Sequence, residues 1–290
     1  MKLNWIVIIP VAMSVLFTGA VAAIGEESPV VLEPLPDKLV VLTFDDSVRS
    51  HYTVARPILK RYGFGATFFI TEGFTFATNK TDYMTWDEIT ALERAGFEIG
   101  NHTRDHKGVS PKTIEQLEAQ LAAIDQSCQA HGIEKPVSFA WPGNAFELDA
   151  LPILRKHGIQ WARRGGFPEY PRGGERGFPY EPGLDHPLLI PSAGIPRPGY
   201  TFEEFVETLE GARDGEVVVL QFHGVPEGEH PWVHVSRATF EQFMPYLDEH
   251  DFQVIALRDL ARYVDWRVEP KEPMKIVEIR KAKLADSVVP

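Results

Sequence analysis

Between about Lys38 and Asp265, short apolar runs rich in β-formers alternate with stretches whose apolar residues recur at helical spacing. Leu39–Phe44, Ala66–Ile70, Phe97–Asn101, Val137–Trp141, Gln160–Ala162, Leu188–Ile190, Val217–Phe222 and Gln253–Ala256 read as buried strands. Val54–Tyr62, Thr85–Ala95, Ile114–Ala130, Leu151–Lys156, Phe202–Ala212 and Ala238–Glu249 read as helices. Such alternation predicts an α/β fold: a parallel sheet with helices outside it, closed as a barrel or left open. Residues 165–198 break the rhythm, being dense in Gly and Pro. A loop that long inside a compact domain points to function or disorder. Its aromatics, Phe167, Tyr170, Phe178 and Tyr180, favour an ordered flap. The expected organisation is residues 1–24 as an export signal, 25–37 as an N-terminal arm, 38–265 as the folded domain, and 266–290 as a charged tail outside it.

The N-terminus changes the picture of where the chain works. Lys2 precedes an apolar run from Trp5 to Phe17, and Ala20-Val21-Ala22 offers small residues for cleavage. That is the pattern of a signal peptide and implies a secreted, periplasmic or cell-envelope protein, with an uncleaved single-span anchor as the alternative. No later stretch is apolar enough to span a bilayer. Among the 290 residues, 29 Lys and Arg face 41 Asp and Glu, a net charge of −12. This argues against nucleic acid or an anionic membrane surface as the main partner. Cys128, the sole cysteine, excludes an intrachain disulfide. It continues the helical stripe Ile114, Leu117, Leu121 and Ile124, as a core thiol would.

The candidate chemistry sits at strand ends, where α/β folds collect their ligands. "VVLTFDDSVRS" ends a strand with Asp45 and Asp46 side by side. Alone, the pair would equally suit a helix N-cap. "EIGNHTRDH" ends another strand and sets His102 and His106 four residues apart, so that one helical turn would bring both imidazoles to a single cation. A carboxylate from a neighbouring strand would complete three ligands and leave a position open for water. At a third strand end, "VVVLQFHGV" carries His223 before a glycine.

Taken in order, "LTFDD", "HTRDH" and "LQFHG" resemble three motifs of the NodB-homology polysaccharide deacetylases, a carbohydrate esterase family; the intervening "ILKRYGFGATFFI" and "TWDEITALERAGFEIGNHT" agree. The resemblance covers about four fifths of the chain. It implies a distorted (β/α) barrel and a divalent metal, commonly Zn2+, held by Asp46, His102 and His106. It further implies Asp45 as general base, His223 as general acid, and hydrolysis of an N-acetyl amide on an amino-sugar glycan. Two departures stand out. The family's Arg-x-Pro-x-Gly stretch appears as "FAWPGN", with Ala140 where an arginine often orients the base and Gly143 as the candidate oxyanion donor. The fourth motif is replaced by "WARRGG", which makes Arg163 or Arg164 a candidate substitute for the missing guanidinium, surface pairing being the alternative for both. Ser47 stands where glycine is common.

Other residues invite plainer readings. His131, His157 and His250 sit near helix C-termini, where the dipole favours them, and His51 reads as a surface residue. His186, His230 and His234 could border the cleft. Trp141 and Trp232 could stack on sugar rings, with Trp141 the stronger candidate from its position beside "PGN". Rival activities are a metal amidohydrolase or esterase acting on a small non-sugar substrate, and a glycan-binding protein without catalysis.

Overall fold

The computed structural model describes Met1 and residues 32–172, 174 and 176–287. The expected export signal and most of the arm lie outside the described residues. Seven strands form one sheet: β1 (Leu39–Phe44), β2 (Thr67–Ile70), β3 (Glu98–Asn101), β4 (Ser138–Ala140), β5 (Trp161–Arg163), β6 (Val218–Phe222) and β7 (Gln253–Ile255). They run in the order β5-β4-β3-β2-β1-β6, with β7 also paired to β1, and every pairing is parallel. Parallel strands need crossovers, and helices supply most of them: α1 (Arg56–Tyr62), α2 (Trp86–Arg94), α3 (Leu117–Ala130), α4 (Leu151–His157), α5 (Phe202–Leu209) and α6 (Arg237–Glu249), with α7 (Lys275–Ser287) following β7. Thr85 and Thr201 cap α2 and α5, each in a reciprocal box with the glutamate three residues on. No helix among the described residues is long and apolar enough to cross a membrane.

Both faces of the sheet are covered, so β1 reads as continuous apolar sequence. Val40, Leu42 and Phe44 pack outward with Ile58, Phe222, Phe240 and Phe243, whereas Leu39 and Val41 pack inward with Trp161, Ile190, Val219 and Leu257. The same parity divides β6, with Val218, Leu220 and Phe222 outward and Val217 and Val219 inward. Cys128 is buried with Leu117, Leu121 and Ile124 on α3, and burial pushes its thiol up to about 12.

Two expectations are corrected here. Residues 165–198 are not a flap lying over a finished domain. Their stretch from Leu188 to Gly194 fills the space between β5 and β6, bridging Ile190 to Arg163 and Gly194 to Leu220 in parallel. Backbone bonds from Arg164 to Ile190 and from Ala193 to Val219 (2.8 Å each) secure it. The stretch thus closes the barrel wall, although prolines and tight turns keep it from forming a regular strand. The charged tail does not lie wholly outside either. Helix α7 buries Ile276, Val277 and Arg280, and Arg280 makes a two-pronged bond to Asp185 (2.7 Å to each oxygen). The apolar residues of that helix do not gather on one face, and an ion pair supplies an anchor that a search for a hydrophobic face misses.

Candidate metal centre and active site

The inward parity of β1 runs Leu39, Val41, Thr43, Asp45, so the strand delivers Asp45 into the mouth of the barrel. The chain then bends sharply, with Asp46 and Ser47 in the left-handed region at φ 75° and 58°. This bend turns the second carboxylate toward the same mouth. Glycine would adopt that conformation freely. Ser47 instead secures it by bonding both the carbonyl (2.7 Å) and the N–H (2.9 Å) of Thr71.

Asp46 meets the two histidines that follow β3. Its Oδ1 lies 3.3 Å from His102 Nε2 and 3.2 Å from His106 Nε2. The spacing of those histidines had suggested a helical turn, but they lie on an irregular loop. Thr103 and His106 take positive φ values of 56° and 51°, and these, not helix periodicity, bring the imidazoles together. His102 Nδ1 donates to the Ala140 carbonyl at 2.8 Å, which fixes the ring with Nε2 toward Asp46. Asp46 Oδ1 is buried and has no hydrogen-bond partner among the described residues. An orphaned carboxylate oxygen facing two imidazole nitrogens, all within 4.8 Å of one another, is a fitting donor set for one divalent cation.

The electrostatics agree. Burial alone would raise the Asp46 carboxyl, but the His102 contact and the fields of His223 and His106 outweigh it and hold the group far below the usual carboxylate range. Burial pushes His106 down to about 4, helped by the neighbouring His102, so this ring is neutral at ordinary pH.

Asp45 has different partners. Arg163 Nη2 reaches its two oxygens at 2.7 and 2.6 Å, and Gln221 Nε2 donates to Oδ2 at 3.0 Å. His223 stands across the mouth, its Nε2 3.9 Å from Asp45 Oδ2 and 3.8 Å from Asp46 Oδ2. Both carboxylates, the three histidines and Gly143 line a cavity of about 430 Å³, within the ~300–1,000 Å³ usual for small-molecule sites. Gly143 holds φ 60°, and Asn144 beside it bonds Arg163 at 3.3 Å.

Residues 33–162 match the polysaccharide deacetylase family. Over those residues the chain is similar to that family. A peptidoglycan-N-acetylglucosamine deacetylase of Bacillus cereus is 29% identical over 234 residues, covering 79% of this chain and 91% of that protein. A poly-β-1,6-N-acetyl-D-glucosamine N-deacetylase of Staphylococcus aureus is 27% identical over 137 residues, covering 43% of this chain. The match spans only 47% of that protein's length, and only 43% of a Bacillus subtilis relative described as a polysaccharide deacetylase. The fold agrees with the solved structure of Bacillus subtilis PdaA, a family 4 carbohydrate esterase, at a TM-score of 0.52 and 18% identity, over 79% of this chain and 82% of that one.

Against this family background, the remaining candidates sort clearly. Arg163, not Arg164, reaches Asp45. Trp161 packs into the barrel, and two residues on Arg163 points the same way, while Arg164 turns out to a buried pair with Glu169 (2.6 Å). His186 is not at the cleft. It is buried, with Nδ1 accepting the Leu188 N–H and Nε2 3.4 Å from Glu269. Trp141 is likewise fully buried, donating to the Leu188 carbonyl (2.9 Å), whereas Trp232 is 64% exposed at the cavity rim. The stacking candidates are therefore reversed. His51, expected at the surface, is fully buried and hydrogen-bonded through Nε2 to the His223 carbonyl at 3.0 Å. His230 lines the cavity; His234 bonds the Glu227 carbonyl at 3.0 Å. His131 and His250 close helix ends as expected, bonding the carbonyls of Ser127 and Tyr246. Sequence reasoning missed Gln221 and Asn144. A lone glutamine inside "VVVLQF", in register with the inward valines, was the available signal for the first.

Proposed function

We propose that this chain hydrolyses N-acetyl amides on an amino-sugar glycan, with Asp45 as general base, His223 as general acid, and Asp46, His102 and His106 as ligands of one divalent cation. The observation that carries the reading is the division of labour between adjacent carboxylates: Asp46 faces two imidazole nitrogens, and Asp45 faces a guanidinium. The cation held by the first group would supply Lewis acidity toward the acyl carbonyl and the attacking water. Two nitrogens and one oxygen suit zinc.

The rest of the chemistry belongs to the side chains. Arg163 and Gln221 fix the direction of the Asp45 carboxylate, with lone pairs left to accept the proton of the attacking water. His223, on the opposite side of both carboxylates, is placed to protonate the departing amine, without which the carbon–nitrogen bond does not break. The Gly143 N–H, on a turn lining the cavity, is the donor proposed for the oxyanion. The named substrates of the Bacillus cereus and Staphylococcus aureus relatives are N-acetylglucosamine glycans, which supports an envelope or extracellular glycan here. Acetate release from N-acetylglucosamine oligomers, with and without chelator, tests the proposal. We expect release that chelation abolishes and that Asp45→Asn reduces by about 10²–10⁴-fold with the metal content unchanged. Release that persists through chelation, or that Asp45→Asn leaves intact, would refute it.

A further inference from the structure

Two consecutive residues of the turn after β4, Gly143 and Asn144, hold positive φ values of 60° and 55°. Asparagine tolerates that conformation better than most side chains. The turn closes on itself, the Asn144 N–H donating to the Trp141 carbonyl at 2.9 Å. The Asn144 side chain then lies against the chain leaving β5, since a Cβ built on Gly165 would stand 2.7 Å from the Asn144 Cγ. Glycine at that point leaves the carboxamide its place.

Arg163 holds both ends of this turn. Its carbonyl accepts the Trp141 N–H at 3.0 Å, and its Nη1 donates to Asn144 Oδ1 at 3.3 Å. Its other arm, Nη2, is the one on Asp45. The guanidinium faces the Phe69 ring, with Cζ 5.5 Å from the centroid, and its Nε has no hydrogen-bond partner among the described residues. Rotation of the group in its own plane is therefore resisted at the two Nη tips. Beside Asp45, those tips meet Asn144 and, at 3.5 Å, the hydroxyl of Ser192. Asn144 is the nearer, and it belongs to the turn that carries the Gly143 N–H. Just before that turn, the Ala140 carbonyl accepts from His102. Residues 140–144 thus touch a metal-binding imidazole, the proposed oxyanion donor and the guanidinium of the proposed base.

We propose that Asn144 is a positioning residue, which pins the Arg163 guanidinium to the turn of Gly143 so that Asp45 and the Gly143 N–H keep one fixed relation. This rests on the deacetylase reading above. As water adds to the amide, its proton leaves toward the base while negative charge gathers on the carbonyl oxygen. Both groups must be aligned at the same moment, so a link between them acts on the chemical step and not on binding.

The test is acetate release from N-acetylglucosamine oligomers by metal-loaded variants. Asn144→Gly keeps the left-handed turn and removes the carboxamide; kcat falls about tenfold, while KM and metal content stay within about twofold. Asn144→Asp, which keeps an acceptor and tolerates the turn, recovers most of kcat. In an Arg163→Ala background, Asn144→Gly costs nothing more, because the link is already gone. Unchanged kcat in Asn144→Gly overturns the proposal, as does a loss that multiplies with that of Arg163→Ala. A loss confined to KM would make Asn144 a substrate contact and overturn it too. A wild type that releases no acetate overturns the deacetylase reading, and the link is then read without turnover. In side-chain nitrogen NMR, rotation about the Arg163 Nε–Cζ bond quickens in Asn144→Gly and not in Asn144→Asp; equal rotation in the wild type and Asn144→Gly overturns the link.

Discussion

His51 supplies a quantitative test of how the barrel is held behind the active site. Its ring is fully buried against Phe44 and Phe68, with centroids at 5.4 and 5.5 Å, and its Nε2–H holds the carbonyl of His223. Burial is the main reason that its pKa drops from 6.5 to about 4; the bond to the His223 carbonyl and the acids beyond only partly oppose it. In the unfolded chain the same imidazole titrates near 6.5, so between about 6.5 and 4 the unfolded state binds a proton that the folded state refuses. Stability must therefore fall as pH drops through that window. At 1.36 kcal/mol per pKa unit, the full span is worth about 3 kcal/mol, and the contribution vanishes above the unfolded value. Urea unfolding of the wild type and of His51→Gln at a series of pH values from 7.5 to 4 isolates this group, because the other titrating residues are common to both proteins. We expect the stability of the variant to fall less steeply, by about 2–3 kcal/mol over the window. Parallel curves would show that the ring is not buried and neutral as described, and the backbone anchoring of His223 would then need another explanation.

Arg163→Ala should lower acetate release on the order of 10²-fold, since Asp45, the proposed base, loses the guanidinium that orients it and keeps only Gln221. Arg164→Ala should act on stability instead, costing up to about 3 kcal/mol in a denaturant melt by leaving the buried Glu169 with only the more distant Arg280 (3.6 Å). Equal effects of the two on rate would contradict their opposite directions. Arg280→Ala strips Asp185 of its partner in the same way and should cost about 3–5 kcal/mol; hydrogen exchange should quicken around residues 178–190, and silence there would mean that α7 does not brace the wall. Trp141→Phe forfeits the bond to Leu188 and should cost about 1–3 kcal/mol while KM stays unchanged; a raised KM would return Trp141 to the substrate site.

Much of the molecule was legible because local sequence fixes local structure. Apolar runs flanked by turn residues marked the seven strands to within a residue or two, and an eighth run, Leu188–Ile190, read as a strand but makes only an isolated bridge; a strand buried on both faces could not be mistaken for surface. Asp45, Asp46, His102, His106 and His223 were legible as a converging group because chemistry needs those residue types at strand ends; the roles proposed for them come from the motif resemblance. What went unread depended on direction and distance. Whether Arg163 or Arg164 faced Asp45 turned on where β5 ends, and shifting that boundary by one residue reverses the answer. A spacing of four between His102 and His106 fits a helix, yet two left-handed residues achieve the same convergence. His51 looks like an exposed polar residue until distant segments cover it, and His186, expected to border the cleft, is instead buried beside Glu269. By itself, then, the sequence determined the succession of strands, the parity of each and the inventory of reactive groups. Only tertiary structure decided which group each of them meets, because hydrogen bonds and ion pairs depend on ångström distances between residues more than a hundred positions apart, and no periodicity encodes those.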